Sequence, residues 1–411
     1  MRLVRLGLVF LIAAVLAACA HAPSAAPPRN RLVILVSVDG FRADYFGRGP
    51  TPTLAALAAD GVRSVGMRPS FPSLTYPNHY TLVTGKRPDR NGIVDNVMED
   101  PGHPGVRFNL ADRAVIARPF WWDQATPLWV SAERQGIRTG GMFWPGTEFE
   151  IGGVRPSQWR TYDMSVLPDA RVDTVLGWLD LPQAQRPRLV TLYFDDVDED
   201  GHKYGPASKE VDVALARVDA AMGRLVAGLK TRGLYDATDI VVVADHGMAA
   251  TSPDRVVFFD DLVDPAAIRV VSSGPVASIA PTPGREAEAT RALTGRHGHL
   301  ECWPKGEIPA RFHYGTNPRV QPIVCLADVG WVAMARAGFK LQGFNLGRHG
   351  YDPAAPQMAA LFLAHGPSFR SGAMLPGFDN VDVYPLLARL VGVTPEPGDG
   401  TMARVAAGLR P

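Results

Sequence analysis

The sequence predicts an α/β protein: a doubly wound, mostly parallel sheet flanked by helices, with a small inserted α+β lobe. Residues 32–38, 188–194 and 240–244 are strand-length runs, apolar at nearly every position. Such runs suit parallel strands covered on both faces. Helix-like stretches at 53–60, 126–135, 171–179 and 209–231 separate or flank them, and that alternation builds a doubly wound sheet. The span 251–336 breaks the rhythm with Pro- and Gly-rich pieces and reads as the inserted lobe. The main domain is then 31–250 together with 337–411, with a further strand at 358–364 and a closing helix at 382–391.

Taken in order, the chain opens with Met1-Arg2-Leu3-Val4-Arg5, an uncharged run over 6–16, and Leu16-Ala17-Ala18-Cys19. The run is too short for a comfortable membrane span, which needs roughly 20 residues. It reads as a signal peptide over 1–18 whose small residues before Cys19 resemble a bacterial lipobox. The alternatives are an ordinary cleaved signal or an uncleaved anchor with an incidental cysteine. In the lipobox reading a lipid at Cys19 tethers a periplasmic domain to a bacterial membrane, and 19–30, rich in Ala and Pro, is a linker.

The composition, 46% hydrophobic and 20% charged, is that of a folded globular protein. A net charge of +1 argues against general nucleic-acid binding, which needs a basic excess. Cys302 and Cys325 form an even pair in an exported chain and could make a disulfide; two buried free thiols are the alternative.

After a strand at 62–67 comes Ser70-Phe71-Pro72-Ser73-Leu74-Thr75-Tyr76-Pro77-Asn78-His79, leading into an apolar helix-like piece at 80–83 that stops at Gly85. Pro72 and Pro77 restrict this loop. Thr75 is the candidate hydroxyl beside a helix N-terminus, where an anion is favoured. Taken alone, the window is an ordinary capped loop.

The strand ends supply the rest. The run 32–38 leads into Asp39-Gly40, and 188–194 leads into Asp195-Asp196-Val197-Asp198-Glu199-Asp200-Gly201-His202. The run 240–244 leads into Asp245-His246-Gly247, and later comes His349-Gly350. Ligands of open α/β sheets bind beyond the carboxyl ends of the strands. Each piece alone has a bland reading: a turn, a solvated acidic loop, a capped strand. Jointly, three Asp, three His and a hydroxyl are what a pair of zinc-like ions requires, since imidazole with carboxylate suits zinc better than calcium or magnesium. Asp198 and His202 reach one ion if their loop begins a helical turn. The remaining histidines, His79 among them, lack an acidic companion at a strand end and read as structure or surface.

These residues resemble the alkaline phosphatase superfamily and, more narrowly, bacterial members of the nucleotide pyrophosphatase/phosphodiesterase family. The resemblance rests on Val38-Asp39-Gly40-Phe41-Arg42, on 71–79, on Gly92-Ile93-Val94-Asp95-Asn96, and on Asp198 to His202 before Gly205-Pro206. It continues in Ala244-Asp245-His246-Gly247-Met248 and His349-Gly350-Tyr351. It implies an alkaline-phosphatase-like fold and two Zn²⁺ ions per chain, one held by Asp198, His202 and His349, the other by Asp39, Thr75, Asp245 and His246. It implies Thr75 as nucleophile, Asn96 and the Tyr76 N–H as holders of a phosphoryl oxygen, and Tyr76 with Tyr162 as a slot for a nucleobase. The implied reaction cleaves a nucleotide phosphodiester or anhydride to a nucleoside monophosphate through a phospho-threonine. Two departures stand out: Asp195-Asp196-Val197 where Glu-Glu-Pro is usual, and Asn91 where many members have His.

Rival readings remain. A sulfatase needs a Cys or Ser nucleophile and an Arg that 75–79 lacks. A phosphomonoesterase remains open, although no cation for the extra phosphate charge stands out near the motifs. A glycerophospho- or lysophospholipid-type phosphodiesterase is the main alternative, because aromatics also cage choline-like cations. A non-catalytic binding lipoprotein fits poorly with an intact ligand set.

Overall fold

In the computed structural model, which describes residues 31–411, the three long apolar runs lie side by side and parallel. The readings on 1–30 (signal peptide, lipobox at Cys19, linker) lie outside the described residues. Eight strands form the main sheet: β1 (Leu32–Val38), β2 (Val62–Ser64), β3 (Thr139–Met142), β4 (Gln158–Arg160), β5 (Leu189–Phe194), β6 (Thr238–Val243), β7 (Phe362–His365) and β8 (Ala373–Leu375). Their order is β8-β2-β7-β6-β1-β5-β3-β4. Only β7 runs antiparallel to its neighbours, so the sheet is mostly parallel. Every residue of β1, β5 and β6 is buried, as strands covered on both faces must be.

Register does the aiming. Val38 lies opposite Phe194, and Ser37 opposite Val243. Asp39, Asp195 and Asp245 therefore leave the sheet along one edge, within two residues of their strand ends.

Three elements depart from expectation. The strand expected over 62–67 stops at Ser64, and Met67–Arg68 pairs separately with Phe378–Asp379. The strand expected at 358–364 is confined to Phe362–His365, because Pro356–Met358 is a 3-10 turn. The helix expected from residue 80 begins five residues earlier, running Thr75–Thr84. Pro77 sits in its first turn, where the missing N–H would have had no helical acceptor anyway, so the proline does not break it. By contrast, Lys209–Thr231 has the expected bounds, with the Ser208 hydroxyl capping Val211 N.

Strand β3 is absent from the sequence reading because Thr-Gly-Gly-Met has little strand character. Tertiary contact explains its Gly140: a Cβ there would lie 2.9 Å from the Trp178 ring on helix Pro168–Leu179.

Within 251–336 a second sheet of five antiparallel strands forms, in the order Ile268–Ser272, Val276–Pro281, Ile323–Ala327, Leu300–Pro304, Gly295–His297. It has its own small core around Ile279, Leu293, Leu300 and Ile323. Cys302 and Cys325 are direct cross-strand partners and form a disulfide. Among the described residues no helix is long and apolar enough to cross a membrane.

Candidate active site

Helix Asp196–Tyr204 starts directly after β5, and its acidic first turn complements the helix dipole. Because this segment is helical, Asp198 and His202 share one face, with His202 Nε2 3.3 Å from Asp198 Oδ2. His349 follows the short strand Gly347–Arg348, and its Nε2 lies 3.7 Å from Asp198 Oδ1. These three make one group; Asp39, Asp245 and His246 make the other, and within each the candidate ligand atoms lie within 4.8 Å of one another. In the second group His246 Nε2 is 2.9 Å from Asp245 Oδ2 and 3.4 Å from Asp39 Oδ1. The His246 and His349 rings stack at 3.5 Å, so the groups share a wall. Thr75 Oγ1, at the N-terminus of helix Thr75–Thr84, is 3.2 Å from His246 Nε2. Gly40, at φ 67°, makes the closeness of the two groups feasible: a Cβ there would lie 2.9 Å from Asp198 Oδ1.

The donors fit a pair of zinc-class cations. Asp39 Oδ1, Asp198 Oδ1 and Asp245 Oδ2 are buried and make no aligned hydrogen bond. A buried carboxylate oxygen without a partner is costly, and a divalent cation removes that cost. All three imidazoles are turned for ligation. Nδ1 of His202, His246 and His349 faces the carbonyls of Gly347 (2.8 Å), Gly247 (2.9 Å) and Ser73 (2.9 Å). A carbonyl accepts only an N–H, so Nδ1 carries the proton and Nε2 is left to bind a metal.

Charge is unevenly shared among these side chains. Burial, reinforced by the Asp245 and Asp198 charges, pushes the Asp39 carboxyl well up. Burial would raise Asp198 and Asp245 too, but the facing histidines win: His202 above all holds Asp198 below the usual carboxylate range, as His246 and His79 do Asp245. Burial would lower His202, yet the Asp198 carboxylate holds it up at about 9. His349 drops to about 3 through burial and then the His246 charge.

Two supporting side chains escaped the sequence reading. Tyr193, the penultimate residue of β5, donates its hydroxyl to Asp39 Oδ2 at 2.7 Å. His79 does have an acidic companion at a strand end. Its Nδ1 faces Thr75 O at 2.9 Å and lies 3.3 Å from Asp245 Oδ2, while its Nε2 meets the Ser37 hydroxyl at 2.8 Å. Its position four residues after Thr75 places both on one helical face, a signal that appears only once the helix starts at Thr75.

Asn96 stands close to Thr75, because its Oδ1 accepts from Tyr76 N at 2.9 Å. The Tyr76 N–H expected to hold a phosphoryl oxygen thus already has an acceptor, and the Asn96 NH₂ is the donor left over. Tyr76 packs edge-on against Phe108, while Tyr162 packs against Phe143 and donates its hydroxyl to Asp195. The Arg113–Glu148 ion pair lies beside Tyr162: the guanidinium is 5.7 Å from its ring, and Tyr162 N donates to Glu148. Asn91 is a buried structural knot, donating to Thr81 and Lys86 and accepting from Ile93 N.

A cavity of about 340 Å³ opens beside Asn96, His202 and His349. Its far wall comes from the inserted lobe, through Val271 to Ser273 and Pro275 to Val276. The lobe is tied there by Asp95, which accepts from the Ser272 and Ser278 hydroxyls.

Comparison with known proteins fits this geometry. Residues 33–352 match the type I phosphodiesterase/nucleotide pyrophosphatase family. An uncharacterized pyrophosphatase/phosphodiesterase of Schizosaccharomyces pombe is 37% identical over 381 residues, covering 90% of this chain and 78% of its own length. A bis(5'-adenosyl)-triphosphatase of Xenopus laevis is 36% identical over 90% of this chain and 80% of its own. Among solved structures, an inactive variant of murine ectonucleotide pyrophosphatase/phosphodiesterase 5 in complex with AMP superposes with a TM-score of 0.88, at 36% identity over 92% of this chain and 100% of that one. The chain belongs to this family and is a hydrolase of phosphodiester and pyrophosphate bonds. These relatives are eukaryotic and lend no support to the expected bacterial source.

Proposed function

We propose that this family member is a zinc-dependent nucleotide phosphodiesterase that releases nucleoside monophosphates through a covalent phosphate on Thr75. The observation that carries the reading is the Thr75 hydroxyl, set at a helix N-terminus against one of two adjoining acid–histidine groups. The AMP complex of the murine relative supports a nucleotide as substrate.

In this reading Asp39, Thr75, Asp245 and His246 hold one zinc, and Asp198, His202 and His349 the other. The bound ions would supply Lewis-acid charge to the reacting oxygens. The protein does the rest. Thr75 gives up its hydroxyl proton to solvent, and its Oγ1 bonds to phosphorus as the leaving-group oxygen departs from the opposite side with the bonding pair. The helix N-terminus favours the anion, and the Asn96 NH₂ donates to a non-bridging oxygen as charge redistributes. Tyr76 and Tyr162 offer aromatic faces to the base. Water then cleaves the Thr75–phosphorus bond, freeing the monophosphate and regenerating the hydroxyl.

The test is hydrolysis of p-nitrophenyl thymidine monophosphate beside p-nitrophenyl phosphate and p-nitrophenyl phosphorylcholine, with chelator and with added Zn²⁺. Zinc-dependent preference for the nucleotide diester is expected, and Thr75→Ala should cost roughly 10³-fold or more in kcat. Preference for phosphorylcholine would move the enzyme to lipid-derived diesters, and preference for the monoester would remove the base-stacking role of Tyr76 and Tyr162.

Residues 1–19 support export, with a lipid at Cys19 and a periplasmic site on a bacterial membrane. Mass spectrometry of the mature N-terminus checks this: an unmodified Cys19, or a Cys19→Ser protein that stays in the membrane fraction, would refute the tether.

A further inference from the structure

We propose that the cavity beside Asn96, His202 and His349 is a subsite for a phosphate-bearing leaving group, gripped by Arg348 and Arg107. The inference rests on the nucleotide reading above and names the half of the substrate that reading leaves open.

Arg348 carries the argument. It lines the cavity, stands between Gly347 and the ligand His349 in the chain, and is half-buried. Its Nε is buried with no hydrogen-bond partner, and no carboxylate among the described residues pairs with the side chain. Its charged end meets the Phe344 ring, at 5.5 Å. By contrast, the fully buried Arg171 pairs with Asp195, and Arg319 with Asp100. A desolvated cation without an anion is costly unless a ligand brings one.

Arg107, an exposed residue, is the second cation at the cavity. It lines the same cavity, and it donates to a neutral acceptor, the Val271 carbonyl. Asp95 is the one carboxylate in the lining, and it is already engaged by Ser272 (2.7 Å), Ser278 (3.2 Å) and Val97 N (3.1 Å). It is therefore not the partner of either arginine. Two guanidinium groups without a carboxylate partner, both lining a polar cavity, suit phosphate oxygens, which they bind in a forked, charge-assisted way. At about 340 Å³ the cavity lies within the ~300–1,000 Å³ of small-molecule sites. It would take a pyrophosphate or nucleoside phosphate and repel a choline-like cation. The lobe thereby acquires a role in substrate binding, since its strands at 268–281 close the wall that makes the subsite.

The experiment compares ATP and diadenosine triphosphate with p-nitrophenyl thymidine monophosphate, whose leaving group carries no phosphate. It uses the zinc-loaded protein and its Arg348→Gln, Arg348→Lys and Arg107→Gln variants. The ratio of kcat/KM on either phosphate substrate to that on the nitrophenyl ester should fall ~10-fold or more in both Gln variants, and less in Arg348→Lys. A general disturbance of the neighbouring ligand His349 cancels in that ratio, and Arg107 is remote from every ligand in sequence. The larger loss identifies whether pyrophosphate or nucleoside diphosphate is the better fit. Binding of inorganic pyrophosphate by calorimetry, at matched zinc, is the second readout and should weaken ~5-fold or more in each Gln variant. Unchanged ratios with unchanged pyrophosphate affinity overturn the subsite even if the nucleotide reading holds. Arginine-dependent pyrophosphate binding in a protein that turns over no nucleotide would keep the subsite and sink the nucleotide reading.

Discussion

The Asp39–Asp245–His246 group and the Asp198–His202–His349 group are built from the same residue types but held by different means. The first leaves the central strands β1 and β6, is fully buried, and is braced by side chains: Tyr193 on Asp39, His79 on Asp245. The second is assembled from a helix start and a loop strand, and His202 retains partial exposure. Its imidazoles are held by the backbone carbonyls of Gly347 and Ser73, as His246 is by Gly247, but among the described residues no brace like Tyr193 or His79 stands on Asp198. Thr75 abuts the buried group. A group whose acids are braced by further side chains can be weakened from a distance, whereas one held by backbone alone is vulnerable only at its ligands.

The largest test of that contrast is removal of one ligand from each group. Asp245→Ala leaves His246, His79 and Gly40 N facing an empty place beside Thr75, and should cost roughly 10³-fold in kcat with loss of one bound metal ion. His202→Ala should lose one zinc as well, with an activity loss smaller by about tenfold. Equal losses, with metal content read by mass spectrometry, would erase the distinction.

Bracing residues give the next effect. Tyr193→Phe and His79→Gln should each weaken zinc retention roughly 10–100-fold, at one of the two sites only. Competition against a graded series of chelators reads this directly, and biphasic weakening at both sites would contradict it.

The smallest effect is electrostatic. In chelated protein His202 is held up at about 9, above its unfolded value near 6.5. A raised folded pKa means the ion pair with Asp198 stabilises fully below about pH 6.5, and that contribution is lost as pH rises through 9. The stability of wild type over His202→Gln should therefore decline by roughly 1–3 kcal/mol between those limits, as seen in urea midpoints. A difference that stays flat with pH would show that the pair does not form.

What could be read in advance followed from local physics. Lys209–Thr231 was legible because a long amphipathic pattern and a Ser208 cap agree. The start of helix Thr75–Thr84 was hidden by Pro77, a breaker in mid-helix but harmless in the first turn. Strand β3 was hidden because its glycines make sense only against Trp178 and Thr147. His79 passed for a core histidine because Asp245 is far away in the chain.

By itself, the sequence determined the mostly parallel α/β class and the arrival of acids and histidines at strand ends, since uninterrupted apolar runs must be buried on both faces and their polar continuations must lie at the rim. Only the tertiary structure decided which side chains brace which acid, which ring nitrogen each histidine presents, and which arginines are left unanswered. Those depend on strand register and on contacts between segments distant in the chain, and no local pattern encodes them.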